Sequence, residues 1–338
     1  MVTIYDIASK AGVSAMTVSR VINNTGRISE KTRAKVRRVM EDLNYVPNQT
    51  ARSLVLQETR ILFLLITDIA NPFYTTVARG AEDAARHYGY RLFFGNSDEN
   101  IEKEQEYVQV ILSTRADGVL IAPAGDPSRD NLETLGKHRV PLVLLDREVP
   151  GIACDVVMGD SKEGARQLVE HLAAHGHRRI AMINGSPSIS SARSRLQGFQ
   201  EALALLGLPA FPGNIYETSF GPTQQLADAE AWLSAMDPLP TAIVAGNNVL
   251  AVELIRLLRA RDIRVPEDIS VVCFDDLGPY SEVDPFVTVV AQQAYQYGYL
   301  GIELLVERLR QGDEPEPWKR IVLPTELLVR RSVSTVGE

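Results

Sequence analysis

The sequence predicts a small all-α helix-turn-helix head joined to an α/β core of two doubly wound lobes with parallel sheets. The head is predicted by a glycine turn between two short amphipathic stretches and by a basic charge balance. The core is predicted by short apolar runs that alternate with helical stretches from residue 61 to residue 274. At 338 residues and 45% hydrophobic side chains, the chain can bury the cores of about two or three domains.

The head opens with apolar residues that recur at helical spacing between Ile4 and Ala11. Gly12 supplies the permissive backbone of a sharp turn, and Ser14 offers an N-cap for a second helix. Two helices joined in this way can place the second one in the major groove of DNA, the alternative being a hairpin that only packs. The outer face of the second helix carries Ala15, Met16, Thr17, Ser19, Arg20 and Asn23.

Charge separates the head from the rest of the chain. A third helix, capped by Ser29 and reaching Asn44, is rich in Lys and Arg. Residues 1–60 hold 10 Lys plus Arg against 5 Asp plus Glu, a balance of +5 in a chain of net charge −8, so the remainder carries −13. This asymmetry indicates one end that meets phosphates and a body that does not.

Residues 47–58 follow the head. Asn48 to Leu54 could form barely two helical turns without an apolar face, and isolated helices that short are marginal in water. The segment is interpreted either as a linker or as a hinge that folds on DNA and wedges Leu54 into the minor groove.

Residues 1–58 resemble the headpiece of the lac/gal repressor family. The resemblance is carried by Tyr5-Asp6, Ala11 to Ser14, Thr17 to Arg20, Asn23, Asn44 to Asn48 and Ala51 to Leu54. It implies that Ala15, Met16 and Arg20 face base edges and that the hinge contributes Ala51 and Leu54. Hydrogen-bond readout is expected to depend on Arg20, with apolar contacts from the other two. The implied phosphate contacts are Tyr5, Ser14, Thr17, Ser19, Asn23, Tyr45 and Asn48.

The core shows strand–helix alternation typical of parallel sheets. Strands are predicted at residues 61–66, 91–94, 118–121, 142–145, 180–183, 242–244 and 269–274. Helices are predicted at residues 73–88, 102–114, 162–174, 193–206 and 248–260. We assign about 59–158 plus about 289–319 to a first lobe, and 159–288 plus about 320–335 to a second. In this assignment the tail crosses back, with Tyr295–Arg310 joining the first lobe and Ile321–Val329 the second.

Polar side chains follow nearly every apolar run of the core. Because ligands of such sheets bind beyond the carboxyl ends of the strands, these groups are expected to line a cleft suited to a hydroxyl-rich ligand. Phe73, Tyr74 and Phe220 are aromatic candidates to stack on it. For any single residue, a helix N-cap is the alternative. The strand-end residues are Asp68, Asn71, Asn96, Asp98, Asp146, Arg147, Asn184, Asn247, Asn248, Asp275 and Asp276.

Residues 59–338 resemble the sugar-binding core of the same family, which is similar to periplasmic ribose-binding proteins. The sequence departs from the family pattern at Asn248, where Asp is common, and at Cys273, where Gly is common. Together with Phe220, the positions implied by the resemblance form the predicted effector-binding set: Asn71, Phe73, Tyr74, Asp146, Arg147, Arg195, Asn247, Asp275 and Gln292.

The predicted function is a homodimeric transcriptional regulator, a repressor, that binds pseudo-palindromic operator DNA under the control of a small carbohydrate-type effector. One alternative is a sugar acid or sugar phosphate held by Arg147 and Arg195, and another is a purine. A third is a sugar-modifying enzyme that uses Asp146 and Asp275 as paired acid and base.

Other classes are disfavoured by missing signals. The sequence has no dinucleotide, nucleotide or zinc-protease motif, so neither a cofactor nor an enzyme is predicted. Gly176 breaks the helix between His175 and His177, which disfavours a metal site. No apolar run is long enough for a membrane helix and no signal-peptide core opens the chain, so a cytoplasmic protein with free cysteines is expected.

Overall fold

The computed structural model describes residues 2–45, 58–220, 226–278, 283–311 and 317–336. It divides into two compact units, residues 1–59 and residues 60–338. The predicted hinge contacts Asn48, Ala51 and Leu54 lie outside the described residues, so they stay predictions.

The head is a three-helix unit built from α1 (Ile4–Ala11), α2 (Ala15–Asn23) and α3 (Glu30–Asp42). Gly12 ends α1 in the left-handed conformation, at φ 62°, and Ser14 caps α2 by accepting a hydrogen bond from the Thr17 backbone N–H. The predicted glycine turn and Ser14 cap are thus confirmed. The apolar faces of the helices meet in one small core, formed by Ile7, Ala8, Ala11, Val18, Val21, Val36 and Val39.

The first lobe of the core contains a six-stranded parallel sheet in the order β11-β5-β4-β3-β1-β2. Its strands are β1 (Ile61–Ile66), β2 (Arg91–Asn96), β3 (Gly118–Ile121), β4 (Leu142–Leu145), β5 (Asp155–Gly159) and β11 (Arg320–Leu323). The helices between them are α4 (Pro72–His87), α5 (Ile101–Thr114) and α6 (Arg129–Lys137).

The second lobe repeats this plan in the order β12-β10-β9-β8-β6-β7, parallel except for β12. Its strands are β6 (Ile180–Asn184), β7 (Ile215–Glu217), β8 (Ala242–Ala245), β9 (Ser270–Phe274), β10 (Thr288–Ala291) and β12 (Glu326–Leu328). Its helices are α7 (Ser161–Ala174), α8 (Ser190–Leu205), α9 (Leu226–Ser234) and α10 (Asn248–Ala260). The predicted fold class, a helical head followed by two doubly wound lobes, is confirmed.

The long helix α11 (Ala294–Gln311) packs against α4 in the first lobe. Two glycines let the helices approach at backbone distance. A Cβ placed on Gly80 would lie 2.0 Å from the Tyr295 carbonyl oxygen, and one on Gly298 would lie 1.9 Å from that of Val77. The contact cannot accommodate a side chain at either position.

The tail differs from the sequence-based assignment. β11 belongs to the first sheet, where Ile321 pairs with Val157, so the prediction that the whole stretch Ile321–Val329 joins the second lobe is wrong for this strand. The physical reason is the buried carboxylate of Asp155, which binds Arg308 of α11 and accepts a hydrogen bond from the Lys319 N–H at 2.7 Å. These bonds fix the start of β11 beside β5. In turn, β10 extends the second sheet to Ala291, beyond the predicted boundary near residue 288.

Candidate functional site

The predicted effector-binding residues converge on one narrow cavity between the two lobes of the core. Gln292 is not part of its lining and donates a hydrogen bond to Asp275, which is. The cavity is lined by the other nine, namely Asn71, Phe73, Tyr74, Asp146, Arg147, Arg195, Phe220, Asn247 and Asp275, together with Thr67, Asp68, Glu99 and Ser191.

The first-lobe wall is a cluster of buried charges at the end of β4. The Arg147 guanidinium donates to Glu99 Oε1 at 2.6 Å and to the Pro123 carbonyl at 3.1 Å, and its Nε lies 3.6 Å from Asp146 Oδ2. Arg147 and Asp146 are only 3% and 5% exposed. Because charges this deeply buried need partners, the cluster is a fixed arrangement of groups rather than a solvated surface.

The second-lobe wall presents Arg195 from α8 and Asp275 from the end of β9. Arg195 donates to the Gly246 carbonyl at 2.6 Å, and its guanidinium lies over the rings of Phe274 and Phe220. Asp275 accepts from Gln292 Nε2 at 2.8 Å. Burial raises the pKa of Asp275 to about 6, and the charge of Arg195 opposes this rise only in part.

Several buried polar atoms in the two walls have no hydrogen-bond partner within the described residues. They belong to both lobes: Asp146 Oδ1, Arg147 Nε, Ser191 Oγ and Arg195 Nε. Buried polar groups are normally hydrogen-bonded, and leaving one unsatisfied costs about 1–3 kcal/mol. A ligand with both donors and acceptors could satisfy this set from within the cavity.

Asn71 and Asn247 are the N-caps of α4 and α10, which confirms the capping interpretation for these two strand-end residues, and both also line the cavity. Asn71 has a second role, because its Oδ1 also accepts from Asn248 Nδ2 at 3.0 Å across the two lobes. Asn248 donates to the Asp276 carbonyl as well. An aspartate at 248 could make neither bond, which gives this departure from the family pattern a structural consequence.

Aromatic rings form the apolar part of the cavity. Phe73 and Tyr74 pack edge to face with ring centroids 5.0 Å apart, and Phe220 closes the second-lobe side. Burial raises the pKa of Tyr74 far above neutral pH, so its hydroxyl stays protonated. Flat apolar faces next to hydrogen-bonding groups suit a ring-shaped polar ligand.

Two strand-end asparagines are bound to groups outside the cavity lining. The amide of Asn96 donates to Asp98, and that of Asn184 donates to the Ala192 carbonyl at 2.9 Å. Conversely, the predicted effector set lacks Glu99 and Ser191, which line the cavity. Ser191 lies four residues before Arg195 on α8, a spacing that places both on one helix face and could have indicated it. Glu99 had no comparable signal.

The head presents its predicted DNA contacts on its surface. Tyr5 and Met16 are 72% and 63% exposed, and Arg20 and Ser14 are at least partly exposed too. Ser14 Oγ is occupied as the cap of α2, and Asn23 donates to Ser19 at 3.3 Å. The other residues of the set in the described part of the head, none of them buried, are Ala15, Thr17, Ser19, Asn23 and Tyr45.

Neither a membrane-spanning helix nor a metal site is found among the described residues. None of their helices has the length and apolar character needed to cross a bilayer. No three His, Cys, Asp or Glu side chains among them come together as a metal site. His177 is instead bound to Thr241 and to the Ser334 carbonyl, at 3.0 Å each.

Comparison with known proteins identifies the family. Residues 3–48 match the model described as bacterial regulatory proteins, lacI family, and residues 169–333 match a periplasmic binding protein-like domain. The regulator DegA of Bacillus subtilis is 37% identical over 343 residues, covering 99% of each chain. The repressor PurR of Photobacterium profundum is 34% identical over 340 residues, covering 100% of each. The chain belongs to the lacI family and is a DNA-binding transcriptional regulator.

Solved structures agree with this assignment. The regulator CelR in complex with cellobiose has a TM-score of 0.72 at 30% identity and covers 98% of this chain and 100% of its own. The lac repressor dimer bound to operator and the anti-inducer ONPF has a TM-score of 0.82 at 26% identity, covering 98% and 99%. The similarity therefore extends over the head and both lobes.

Proposed function

We propose that the chain is a homodimeric repressor whose affinity for operator DNA is set by a neutral carbohydrate bound between the two lobes. The observation that carries the proposal is the pair of buried carboxylates, Asp146 and Asp275, that border one cavity from opposite lobes. Carboxylates accept hydrogen bonds from hydroxyl groups, and such charge-assisted bonds contribute about 1.5–3 kcal/mol each. A ligand with hydroxyls on two sides can therefore bridge the lobes.

The charge balance of the cavity favours a neutral ligand over an anionic one. Its walls carry four carboxylates, from Asp68, Glu99, Asp146 and Asp275, against two guanidinium groups. Both guanidinium groups already have partners, Glu99 for Arg147 and a backbone carbonyl for Arg195. A sugar acid or sugar phosphate would meet more like charge than opposite charge. The similarity to a regulator solved with cellobiose also favours a sugar.

A purine is the second candidate effector. The rings of Phe73, Tyr74 and Phe220 offer flat apolar faces to a planar base. Relatives that match along the whole chain include several repressors named PurR. The number of buried carboxylates favours the sugar, because a base offers fewer hydrogen-bond donors than a polyol.

Ligand binding would change the arrangement of the lobes. The free volume inside the cavity is about 20 Å³, enough for roughly one water molecule, so a sugar can enter only when the lobes separate. A ligand that binds one arrangement more tightly shifts the population towards it. If the two arrangements hold the heads differently, effector and operator binding are thermodynamically linked.

Dimer formation is supported by an exposed apolar edge in the first lobe. β2 is the outermost strand of its sheet, and two consecutive residues within it, Phe93 and Phe94, are each 44% exposed. Exposed aromatic side chains on an unpaired strand edge are typical of a surface that another chain covers. A two-fold dimer would present two heads to two half-sites of a near-palindrome.

A ligand screen tests the effector. Thermal shift of the full-length protein identifies the chemical class of the effector, and calorimetry measures its affinity. The compounds are neutral sugars (ribose, glucose, cellobiose), anionic sugars (gluconate, glucose 6-phosphate) and purines (guanine, hypoxanthine). Asp146→Ala and Asp275→Asn should abolish the response while operator binding is unchanged. Asp268→Asn, outside the cavity lining, should leave both unchanged. Tighter binding of anionic sugars or purines would overturn the neutral-sugar proposal, and conversion of the sugar, seen by NMR, would favour an enzyme.

A DNA experiment tests the head. Selection from a randomised duplex library gives the operator, and fluorescence anisotropy then compares it with a scrambled duplex. Arg20→Ala should reduce discrimination by about 1–3 kcal/mol, because a bidentate base contact is lost. Tyr5→Phe, which removes an exposed hydroxyl without disturbing a cap, should weaken binding to both duplexes equally. Equal losses for Arg20→Ala on both duplexes would make Arg20 a phosphate contact.

A further inference from the structure

The start of α8 is bound to the first lobe at three points. The Asp126 N–H donates to the Ser188 carbonyl at 2.8 Å, and the Glu148 N–H donates to Ser190 Oγ at 2.8 Å. The guanidinium of Arg193 donates to both carboxylate oxygens of Asp126, at 2.8 and 3.1 Å. One short stretch of the second lobe is therefore attached to two loops of the first.

The ion pair differs from the charge cluster inside the cavity. The side chains of Arg193 and Asp126 are 39% and 35% exposed, so either can be solvated when the pair separates. Arg193 also donates to the Pro187 carbonyl at 2.7 Å, a contact within its own lobe that keeps the guanidinium oriented. A bidentate pair of this kind has a defined geometry, yet its separation exposes no buried charge.

The same helix carries effector-site residues. Ser191 and Arg195 project from α8 into the cavity and are 1% and 3% exposed. Because they flank Arg193 in sequence, any movement of α8 away from Asp126 also moves them away from Asp146 and Arg147. Arg193 of the exposed ion pair and these two residues of the buried site are therefore carried by one helix.

We propose that Arg193 and Asp126 form a latch that sets the balance between closed and open arrangements of the lobes. They are positioning residues, since neither lines the effector cavity. The latch acts through α8 on the spacing of the cavity walls, whatever ligand the cavity binds, and so goes beyond the proposed function.

Hydrogen exchange of the full-length protein without ligand tests the latch. Arg193→Ala should accelerate exchange several-fold at the amides of Asp126 and Glu148, because both donate across the lobes. The matched control is Arg264→Ala, which removes another bidentate pair, to Asp268 at 2.8 and 2.6 Å, with both residues in the second lobe. It should leave these two amides protected.

Three further measurements test whether faster exchange comes from loss of the Arg193–Asp126 pair or from a general loss of stability. The urea midpoint of Arg193→Ala should match that of the control, which separates local opening from global destabilisation. The exchanged pair, Arg193→Asp with Asp126→Arg, should restore protection. Arg193→Lys, which keeps the charge without the bidentate geometry, should give an intermediate exchange rate. It replaces Arg193→Ala as the test variant if Arg193→Ala folds poorly. Unchanged exchange at both amides in Arg193→Ala or Arg193→Lys, or no recovery in the exchanged pair, overturns the latch.

Discussion

Asp146 and Asp275 occupy equivalent places in the two lobes. Each follows a buried parallel strand, each has φ of 64°, and each donates its backbone N–H to a neighbouring strand, to Val157 at 2.8 Å and to Val290 at 2.9 Å. Asp tolerates this left-handed conformation better than most residues. The same backbone geometry thus delivers one carboxylate to the cavity from each side.

The residue after each aspartate makes the two sites different. Asp146 is followed by Arg147, whose guanidinium lies beside it in the cavity wall. Asp275 is followed by Asp276, which binds Arg330 at 2.9 Å. The first carboxylate thus has a positive neighbour next to it in sequence, whereas the second relies on an amide and has a raised pKa. Equivalent backbone positions therefore provide one electrostatically compensated acceptor and one that is less compensated.

The largest expected effect comes from removing the compensating charge of the first site. Arg147→Met should lower the free energy of unfolding by about 3–5 kcal/mol, because Asp146 and Glu99 would be left buried without their cation. Arg166→Met is the matched control, since Arg166 pairs with Glu163 and Glu170 at side-chain exposures near 40% and should cost about 0–1 kcal/mol. Urea unfolding at neutral pH measures both. Equal losses would mean that Asp146 does not depend on Arg147.

The second site should show its difference in the pH dependence of stability. Burial raises the pKa of Asp275 from 3.8 to about 6, so the folded protein favours the protonated carboxyl. The resulting stabilisation is fully present below about pH 4 and is lost as the pH rises through about 6, a change of about 3 kcal/mol. Asp275→Asn cannot ionise. The difference in free energy of unfolding between Asp275→Asn and the wild type should therefore shift in favour of Asp275→Asn, by up to about 3 kcal/mol between about pH 4 and about pH 7.

Asp268→Asn is the control for this pH experiment. Hydrogen bonds from Arg264 lower the pKa of Asp268 to about 2, so its contribution is lost only as the pH falls towards that value. The difference between Asp268→Asn and the wild type should be flat from about pH 5 to about pH 7. If the difference between Asp275→Asn and the wild type were also flat, burial would not raise the pKa of Asp275.

The smallest effect is expected at the amide that supports Asp275. Gln292→Leu removes the donor to Asp275 and the acceptor of the Tyr297 hydroxyl, and should cost about 1–3 kcal/mol. It should also raise the pKa of Asp275 further, measurable by carboxyl ¹³C titration. The neighbouring Gln293→Leu, whose side chain is exposed, is the control and should leave that titration unchanged.

Strand ends identified much of the cavity from sequence because the carboxyl ends of parallel strands meet at one edge of a sheet. That rule does not say which way a side chain turns. Asn184 is at such an end and yet bonds to the start of α8. Glu99 reaches the cavity from a local turn, where its own φ is 56°. Patterns of apolar residues do not predict such a turn.

The same limit applies to the fold. Apolar periodicity located most strands, but β5 begins with a buried aspartate and β7 has only three residues, so neither stands out as an apolar run. The partner of β11 depends on Asp155 and Arg308, which are far apart in sequence. Long-range ion pairing of this kind leaves no local signal, which is why the predicted place of this strand in the second lobe is wrong.

The pairing of β11 with β5 has a consequence for synthesis of the chain on the ribosome. The edge of β5 stays open until Arg320–Leu323 have emerged, although all five of its residues are buried in the finished sheet. The head has its own core and is made before either lobe. A nascent or truncated chain that ends before Arg320 would carry a DNA-binding head attached to an incomplete sheet with an unpaired apolar edge, a site for aggregation or chaperone binding. The first-lobe sheet is thus complete only after residues 320–323 have been made.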